Sequence, residues 1–185
     1  MLNLKEVTKD WTLFIDRDGV INHEKKAHYI LNWEEFKFYD GVLEAMAILN
    51  KHFKTIVMVT NQKGVGKQLM TLQDLQHIHK SMSELINKNG GRIDKIYFCS
   101  DLEDDSPNRK PNPGMAFQAK KDFPEIDFSK SIMVGNKISD MNFGRNAGIK
   151  TVFVATTNPE TDFPHNAIDL RFEDLLAFAK SLTKA

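Results

Sequence analysis

Two carboxylates stand two residues apart directly after an apolar run. Asp16 and Asp18 follow the run 11–15, and Gly19 comes next. Two anionic groups this close repel each other unless a cation neutralises them, and Mg²⁺ prefers oxygen ligands of this kind. Taken alone, the same residues are equally typical of a solvated acidic turn, because Asp and Gly favour turns for local reasons. The groups that accompany the pair therefore decide its interpretation.

Polar and charged groups also lie beyond the next three apolar runs. They are Thr60, Asn61 and Gln62 after the run 55–59, Arg109 and Lys110 beyond the run 93–98, and Asn136, Lys137 and Asp140 after the run 131–134. Hydroxyl and amide groups, glycine-rich backbone and cations near a helix N-terminus all bind phosphate. Each group alone has a plainer interpretation, as a solvated base or a helix cap. Their order along the chain favours one shared site for a phosphate and a cation.

Five short apolar runs predict the strands that carry these groups. They cover residues 11–15, 55–59, 93–98, 131–134 and 151–154. The clearest helical pattern between them extends from Leu72 to Ile86. It is preceded by a Thr71-x-x-Asp74 capping box and followed by two glycines, Gly90 and Gly91.

Four further helices are predicted from local patterns. One follows Gly41, one starts at Asn112-Pro113 with Asn112 as the N-cap, one ends before Gly148, and a closing helix covers Phe172 to Leu182. Strands that alternate with helices imply right-handed crossovers and an open, mainly parallel sheet with helices on both faces, a three-layer, Rossmann-like α/β fold. Ligands bind such sheets at the carboxyl ends of the strands, where the polar groups stand.

The composition is that of an ordinary globular protein. The chain has 185 residues, 41% of them hydrophobic and 27% charged, and no repeat or linker divides it, so we predict one domain over residues 1–185. Lys+Arg and Asp+Glu both number 25, which leaves no global field to attract nucleic acid or an anionic membrane. No apolar run approaches the ~20 residues that span a bilayer.

Cysteine usage and the N-terminal sequence favour a cytoplasmic protein. Cys99 is the single cysteine, so no intrachain disulfide can form, and the first residues do not resemble a signal peptide. We expect a monomer that acts on a small molecule.

The ordered motifs resemble the haloacid dehalogenase-like phosphatase superfamily from about residue 11 to residue 155. The motifs are Asp16-x-Asp18-Gly19, Thr60-Asn61, Lys110-Pro111 and Gly135-x4-Asp140. The longer strings Phe14-Ile15-Asp16-Arg17-Asp18-Gly19, Thr60-Asn61-Gln62 and Arg109-Lys110-Pro111 resemble the group of D,D-heptose 1,7-bisphosphate and histidinol-phosphate phosphatases within it.

This resemblance implies a Mg²⁺-dependent phosphatase with an aspartyl-phosphate intermediate. Asp16 would be the nucleophile and Asp18 the general acid and base, while Thr60, Asn61 and Lys110 would bind the phosphoryl group. The implied metal set is Asp16, Asp18, Asn136 and Asp140. Candidate substrate contacts are Arg17, Gln62, Arg109 and Lys137. The short spacing between the motifs leaves no room for a cap domain, so a capless member is expected.

Heptose bisphosphate is the favoured substrate, because Arg109, Lys110 and Lys137 provide cations for a doubly phosphorylated sugar. Histidinol phosphate and other small phosphomonoesters are alternative substrates, and the sequence does not indicate which anomer of the heptose bisphosphate is preferred. A polynucleotide end is disfavoured as substrate, because the net charge is zero.

The sequence departs from the resemblance in two places. Relatives often carry a zinc loop of several Cys and a His after the third strand, but the segment 99–108 has only Cys99, so we predict no structural zinc. Asn136 stands where the superfamily usually has an Asp that binds Mg²⁺, and a neutral amide is a weaker ligand for a hard cation. Either the enzyme binds Mg²⁺ weakly, or the chain is a phosphometabolite-binding or scaffolding module. The enzyme is favoured because the other motif residues are intact, namely Asp16, Asp18, Thr60, Lys110 and Asp140.

Overall fold

One parallel sheet forms the middle layer of the molecule. The computed structural model describes residues 2–184, and in that range the sheet has six strands in the order β3-β2-β1-β4-β5-β6. The strands are β1 Thr12–Ile15, β2 Thr55–Asn61, β3 Lys95–Cys99, β4 Ser131–Gly135, β5 Lys150–Val154 and β6 Leu170–Phe172. In register, Ile15 at the end of β1 lies opposite Met58 of β2 and Val134 of β4. The carboxyl ends of β1, β2 and β4 therefore meet at the centre of one sheet edge.

Helices cover both faces of this sheet. They are α1 Val42–His52, α2 Lys63–Gly66, α3 Leu72–Lys88, α4 Gly114–Asp122, α5 Ile138–Ala147 and α6 Leu175–Leu182. Buried side chains of α1, α3 and α6 pack together on one face, and those of α4 and α5 pack on the other. The expected three-layer α/β fold with a parallel sheet is confirmed.

Helix α3 begins and ends as its sequence predicts. The Thr71 side chain accepts from the Asp74 backbone N–H, and the Asp74 carboxylate accepts from the Thr71 N–H in return. Gly90 follows the helix with a φ of 82°, in the left-handed region that glycine adopts without strain. Leu75, Ile78 and Met82 are fully buried on its inner face. This helix is thus fixed at both ends and along its length.

Two predicted helix starts are wrong, and one strand was missed. Strand β6 was not predicted, and it takes Phe172, which the closing helix was expected to contain. Helix α6 starts only after Asp174, whose side chain accepts from the Ala177 N–H at 2.7 Å. Helix α4 starts at Gly114, and Asn112 does not cap it because its amide donates to the Ser106 carbonyl instead.

Long connections complete the edge of the sheet at which β1 ends. Residues 16–41 lie between β1 and α1 and contain one short helical turn, Trp33–Glu35, and residues 100–113 connect β3 to α4. Neither connection adds a further layer within the described chain, in agreement with the expected capless fold.

None of the described helices combines the length and the apolar character needed to cross a bilayer.

Candidate active site

A cleft of about 380 Å³ opens at the carboxyl ends of β1, β2 and β4. It brings together nine of the eleven predicted site residues, namely Asp16, Asp18, Thr60, Asn61, Gln62, Arg109, Lys110, Lys137 and Asp140. Arg17 and Asn136 are completely buried and do not line it.

A buried lysine joins two carboxylates at the floor of the cleft. The Lys110 ammonium lies 2.7 Å from Asp16 Oδ1 and 2.7 Å from Asp140 Oδ1, and it donates to the Val59 carbonyl at 2.9 Å. The backbone N–H of Asp16 donates to the Val134 carbonyl at 3.0 Å, which continues the pairing of β1 with β4. The Asp16 carboxylate is therefore held by the sheet and by one cation.

Burial and charge determine the ionisation of these groups. Burial raises the pKa of Asp16 to about 6, against the opposing effect of Lys110. Burial alone would lower the pKa of Lys110, but the Asp140 and Asp16 carboxylates outweigh it and raise that pKa above its ordinary value. The lysine is thus a fixed positive charge beside Asp16, placed where a phosphoryl oxygen would need one.

Asp18 is surrounded by hydrogen-bond donors. Arg17 Nη2 lies 3.0 Å from both of its carboxylate oxygens, Asn22 Nδ2 donates to one oxygen at 2.9 Å and Gln62 Nε2 to the other at 2.9 Å. Burial would raise the pKa of Asp18, but Arg17, Asn22 and Gln62 lower it overall. With 24% of its side chain exposed, the carboxylate still faces the cleft.

The structure does not support a substrate contact for Arg17. The side chain turns away from the cleft and is buried beneath Asp18, because it follows Asp16 in a tight turn and neighbouring side chains point in different directions. Its remaining guanidinium nitrogen, Nη1, meets His79 Nε2 of α3 at 3.1 Å. Sequence analysis missed His79, although its position beside Ile78 on the apolar face of α3 is a detectable sign of a buried polar residue.

The end of β2 connects the phosphate-binding candidates to one another. Gln62 Nε2 donates to Thr60 Oγ1 at 2.9 Å as well as to Asp18. The Asn61 side chain exchanges two hydrogen bonds of 3.1 Å with the backbone of Lys110. Asn61 thereby fixes the backbone of the loop that carries Lys110. The side-chain nitrogen of Gln62 donates both of its hydrogen bonds within the site.

Asp140 is held at the first turn of α5. One carboxylate oxygen contacts Lys110, and the other accepts from the backbone N–H groups of Lys137 at 3.0 Å and Asn136 at 3.2 Å. A Cβ atom at Gly135 would come within 2.3 Å of the Asp140 Cβ, so only glycine allows this approach of strand and helix. The arrangement suits Asp140 to orienting Lys110.

Asn136 presents an unused oxygen. Its Nδ2 donates to Thr157 Oγ1 at 2.5 Å, and its side chain packs against Gly19, where a Cβ would lie 2.0 Å from Nδ2. Its Oδ1 is buried and has no hydrogen-bond partner among residues 2–184. Such an oxygen suits a hard cation such as Mg²⁺. Among residues 2–184, no three His, Cys, Asp or Glu side chains are grouped as a metal site.

Cations at the rim of the cleft are paired with acidic loop residues. Arg109 Nε and Lys63 Nζ both lie 3.1 Å from Oδ1 of the exposed Asp104, and Lys137 Nζ lies 2.6 Å from Glu24. Arg109 Nη1 is buried without a hydrogen-bond partner in the described chain. Sequence analysis did not identify Lys63, because only the fold of residues 100–109 brings it beside Arg109. The rim thus offers three cations to an anionic ligand.

Comparison with known proteins gives consistent matches over nearly the whole chain. The model of the family described as polynucleotide kinase 3 phosphatase matches residues 10–174. A D-glycero-beta-D-manno-heptose-1,7-bisphosphate 7-phosphatase of Helicobacter pylori is 35% identical over 171 residues, 89% of this chain and 94% of that protein. A D-glycero-alpha-D-manno-heptose-1,7-bisphosphate 7-phosphatase of Campylobacter jejuni is 37% identical over 156 residues, 84% and 88% of the two chains.

A solved structure is similar over the same extent. The D,D-heptose 1,7-bisphosphate phosphatase from B. bronchiseptica, complexed with magnesium and phosphate, superimposes with a TM-score of 0.85. It is 28% identical in sequence, and the match covers 94% of this chain and 98% of the other.

Proposed function

Since this chain belongs to the haloacid dehalogenase-like phosphatases, in the family described as polynucleotide kinase 3 phosphatase, we propose that it is a Mg²⁺-dependent sugar-bisphosphate phosphatase. The favoured substrate is D-glycero-D-manno-heptose 1,7-bisphosphate, cleaved at its 7-phosphate. The resemblance drawn from the motifs is confirmed at the level of the family. The observation that carries the proposal is the Asp16–Lys110–Asp140 cluster beside Asp18, at the bottom of one cleft.

In the first half-reaction Asp16 attacks phosphorus. Its carboxylate oxygen forms the new O–P bond as the bond to the sugar oxygen breaks, and Asp18 gives its proton to that leaving oxygen. A dianionic phosphate beside Asp18 raises the pKa of its carboxyl group, which favours the protonated form required here. Lys110 offsets charge on the transferring oxygens from its fixed position.

In the second half-reaction the Asp18 carboxylate takes a proton from water. The water oxygen bonds to phosphorus, the O–P bond to Asp16 breaks, and inorganic phosphate leaves with both carboxyl groups restored. The donors around Asp18 keep it ionised at rest, in the form that this step uses. Thr60 and the backbone N–H of Asn61 hold the phosphoryl group in line.

Asp16 and Asn136 Oδ1 are the residues best suited to hold Mg²⁺, with Asp18 and Asp140 as the remaining candidates. When bound, the cation neutralises negative charge on the phosphoryl oxygens. The related structure complexed with magnesium and phosphate supports this choice of metal.

The rim cations support a substrate with a second phosphate. Arg109 has a buried, unpaired donor in the described chain, and Lys137 and Lys63 lie at the same rim. Relatives that align along almost the whole chain are named for heptose bisphosphates of both anomers. A polynucleotide end is disfavoured, because the chain has no net positive charge to bind it. A single domain, a monomer, a cytoplasmic location and the lack of structural zinc stay predictions.

A substrate panel tests this function. We expect phosphate release from one or both anomers of heptose 1,7-bisphosphate to exceed release from histidinol phosphate and simple sugar monophosphates, and chelator to abolish it. Preference for another phosphomonoester would overturn the substrate. Binding of sugar phosphates with no turnover at any Mg²⁺ concentration would instead support the binding-module alternative, for which Asn136 is the motivating residue.

A further inference from the structure

His79 is a buried histidine that the mechanism above does not use. It lies on the inner face of α3 with 8% of its surface exposed, and its Nε2 is 3.1 Å from Arg17 Nη1. A guanidinium has only donors, so Nε2 must accept, and the ring is neutral with its proton on Nδ1. The histidine therefore serves as the acceptor for a buried arginine.

Arg17 connects this histidine to Asp18. One edge of its guanidinium faces Asp18, with Nη2 at 3.0 Å from each carboxylate oxygen and Nε at 3.3 Å from one of them. The remaining nitrogen, Nη1, faces His79 on the other side. Because a guanidinium is planar and rigid, fixing Nη1 also fixes the edge that holds Asp18. His79 thus sets the orientation of the group that orients the carboxylate.

We propose that His79 is a positioning residue for the acid–base step of Asp18, and that it acts through Arg17. This inference rests on the proposed function, in which Asp18 protonates the leaving oxygen. Neither His79 nor Arg17 lines the cleft, whereas Asp18 does, so any effect of His79 on turnover must pass through Arg17. If His79 only filled the core, a side chain of similar volume without a hydrogen-bond acceptor could replace it.

Leaving-group dependence tests the proposal. The His79→Leu variant keeps apolar volume but removes the acceptor, and His79→Gln keeps an acceptor in its Oε1. The control is His77→Leu, the same change on the exposed side of α3. Two substrates are compared: an alkyl phosphate from the panel, whose alkoxide needs a proton to leave, and p-nitrophenyl phosphate, whose nitrophenolate leaves without one.

We expect His79→Leu to lower kcat/KM for the alkyl phosphate by roughly tenfold or more and to change kcat/KM for p-nitrophenyl phosphate much less. The ratio kcat/KM reports the first half-reaction, whereas the second half-reaction is the same for both substrates. KM should change little, His79→Gln should recover most of the alkyl activity, and His77→Leu should match the wild type. Circular dichroism and thermal unfolding check that each variant is folded. If His79→Leu does not fold, His79→Phe takes its place, because it keeps a flat ring at this position and has no acceptor nitrogen.

Equal losses on both substrates, or a Gln variant no better than Leu, would mean that His79 is only structural and would overturn the inference. Wild-type protein that releases no phosphate from either substrate would overturn the proposed function itself, which is a different and separately visible result.

Discussion

At the scale of single residues, the Asp16 side chain has two separable tasks. It accepts from Lys110 at 2.7 Å, and it is the proposed nucleophile. In Asp16→Asn the amide oxygen can still accept from Lys110, while the amide cannot attack phosphorus. We therefore expect a folded protein with turnover reduced by at least about a thousandfold, measured as phosphate release with a matched unfolding curve.

Asp140→Asn is the useful comparison, because it also removes a charge beside Lys110 but leaves the nucleophile in place. We expect it to retain more activity than Asp16→Asn. Wild-type turnover in Asp16→Asn would contradict the mechanism.

Asn136 gives a prediction about metal affinity. Restoring the charge in Asn136→Asp should tighten Mg²⁺ binding by roughly tenfold or more, because a carboxylate is a stronger ligand for a hard cation than an amide. Calorimetry of Mg²⁺ binding measures this directly, and the half-saturating Mg²⁺ concentration for activity should fall with it.

Asn158→Asp is the matched control for that experiment. Asn158 donates to the Asn136 carbonyl, so the variant adds the same charge nearby without changing the proposed ligand. Identical binding curves for Asn136→Asp and wild type would show that Asn136 is not a metal ligand.

The sequence predicted those site residues that stand at strand ends. Asp16 follows β1, Thr60 lies near the end of β2, and Asp140 comes after β4. The sheet places these strands side by side, and the apolar runs were enough to locate them. It did not predict the direction of Arg17, because that depends on a partner 62 residues away in the chain. The apolar pattern of α3 indicated which face was buried but not what its histidine would contact.

At the scale of elements, the capping box of α3 makes a measurable contribution. Thr71→Ala removes the side-chain acceptor for the Asp74 N–H and should lower the free energy of unfolding by about 1 kcal/mol. Urea denaturation measures it. The ratio of alkyl to nitrophenyl turnover should stay unchanged, because the helix still presents His79.

Gln73→Ala, in the same exposed first turn, should be neutral or slightly stabilising, because alanine favours helix. A loss for Gln73→Ala equal to that of Thr71→Ala would show that the cap is not the cause.

Elements with their own pattern were predicted, and those that depend on neighbours were not. The five short apolar runs correspond to the strands β1 to β5. Strands β1, β2, β4 and β5 are buried almost throughout, whereas β3 buries only Tyr97 and Cys99. Strand β6 has only three half-buried residues, and it exists because β5 offers a free edge for pairing. Because Phe172 belongs to β6, α6 starts at Leu175 and not at Phe172 as predicted.

At the scale of the whole molecule, His79 makes stability depend on pH. Burial and the adjacent Arg17 lower the pKa of His79 from 6.5 to about 3. Between these values the unfolded chain binds a proton that the folded protein does not, so stability falls as pH decreases from 6.5 toward 3. The slope from this group is at most about 1.4 kcal/mol per pH unit.

The difference between wild type and His79→Gln isolates this contribution, because Asp16, whose pKa of about 6 acts in the opposite direction, is present in both. The variant should lose less stability than wild type between pH 6.5 and 4.5 in urea denaturation. If the free energy of unfolding fell equally with pH in both proteins, His79 would not be the source of this pH dependence.

The alternation of strands and helices predicted the fold class, since crossovers of one hand lead to one type of layered sheet. The strand order was not predicted, because it depends on which apolar faces fit together across the whole chain.

That order has a consequence for how the protein is made. Strand β1 lies between β2 and β4, and Asp16 needs both Lys110 and Asp140 around it. Chains are synthesised from the N-terminus, and folding begins while synthesis continues. A ribosome that has added only the first 130 residues has produced the nucleophile and the lysine, but β1 still has an unpaired edge and Asp140 does not yet exist. The nascent chain therefore carries Asp16 through the synthesis of more than a hundred further residues before the groups that make it usable exist.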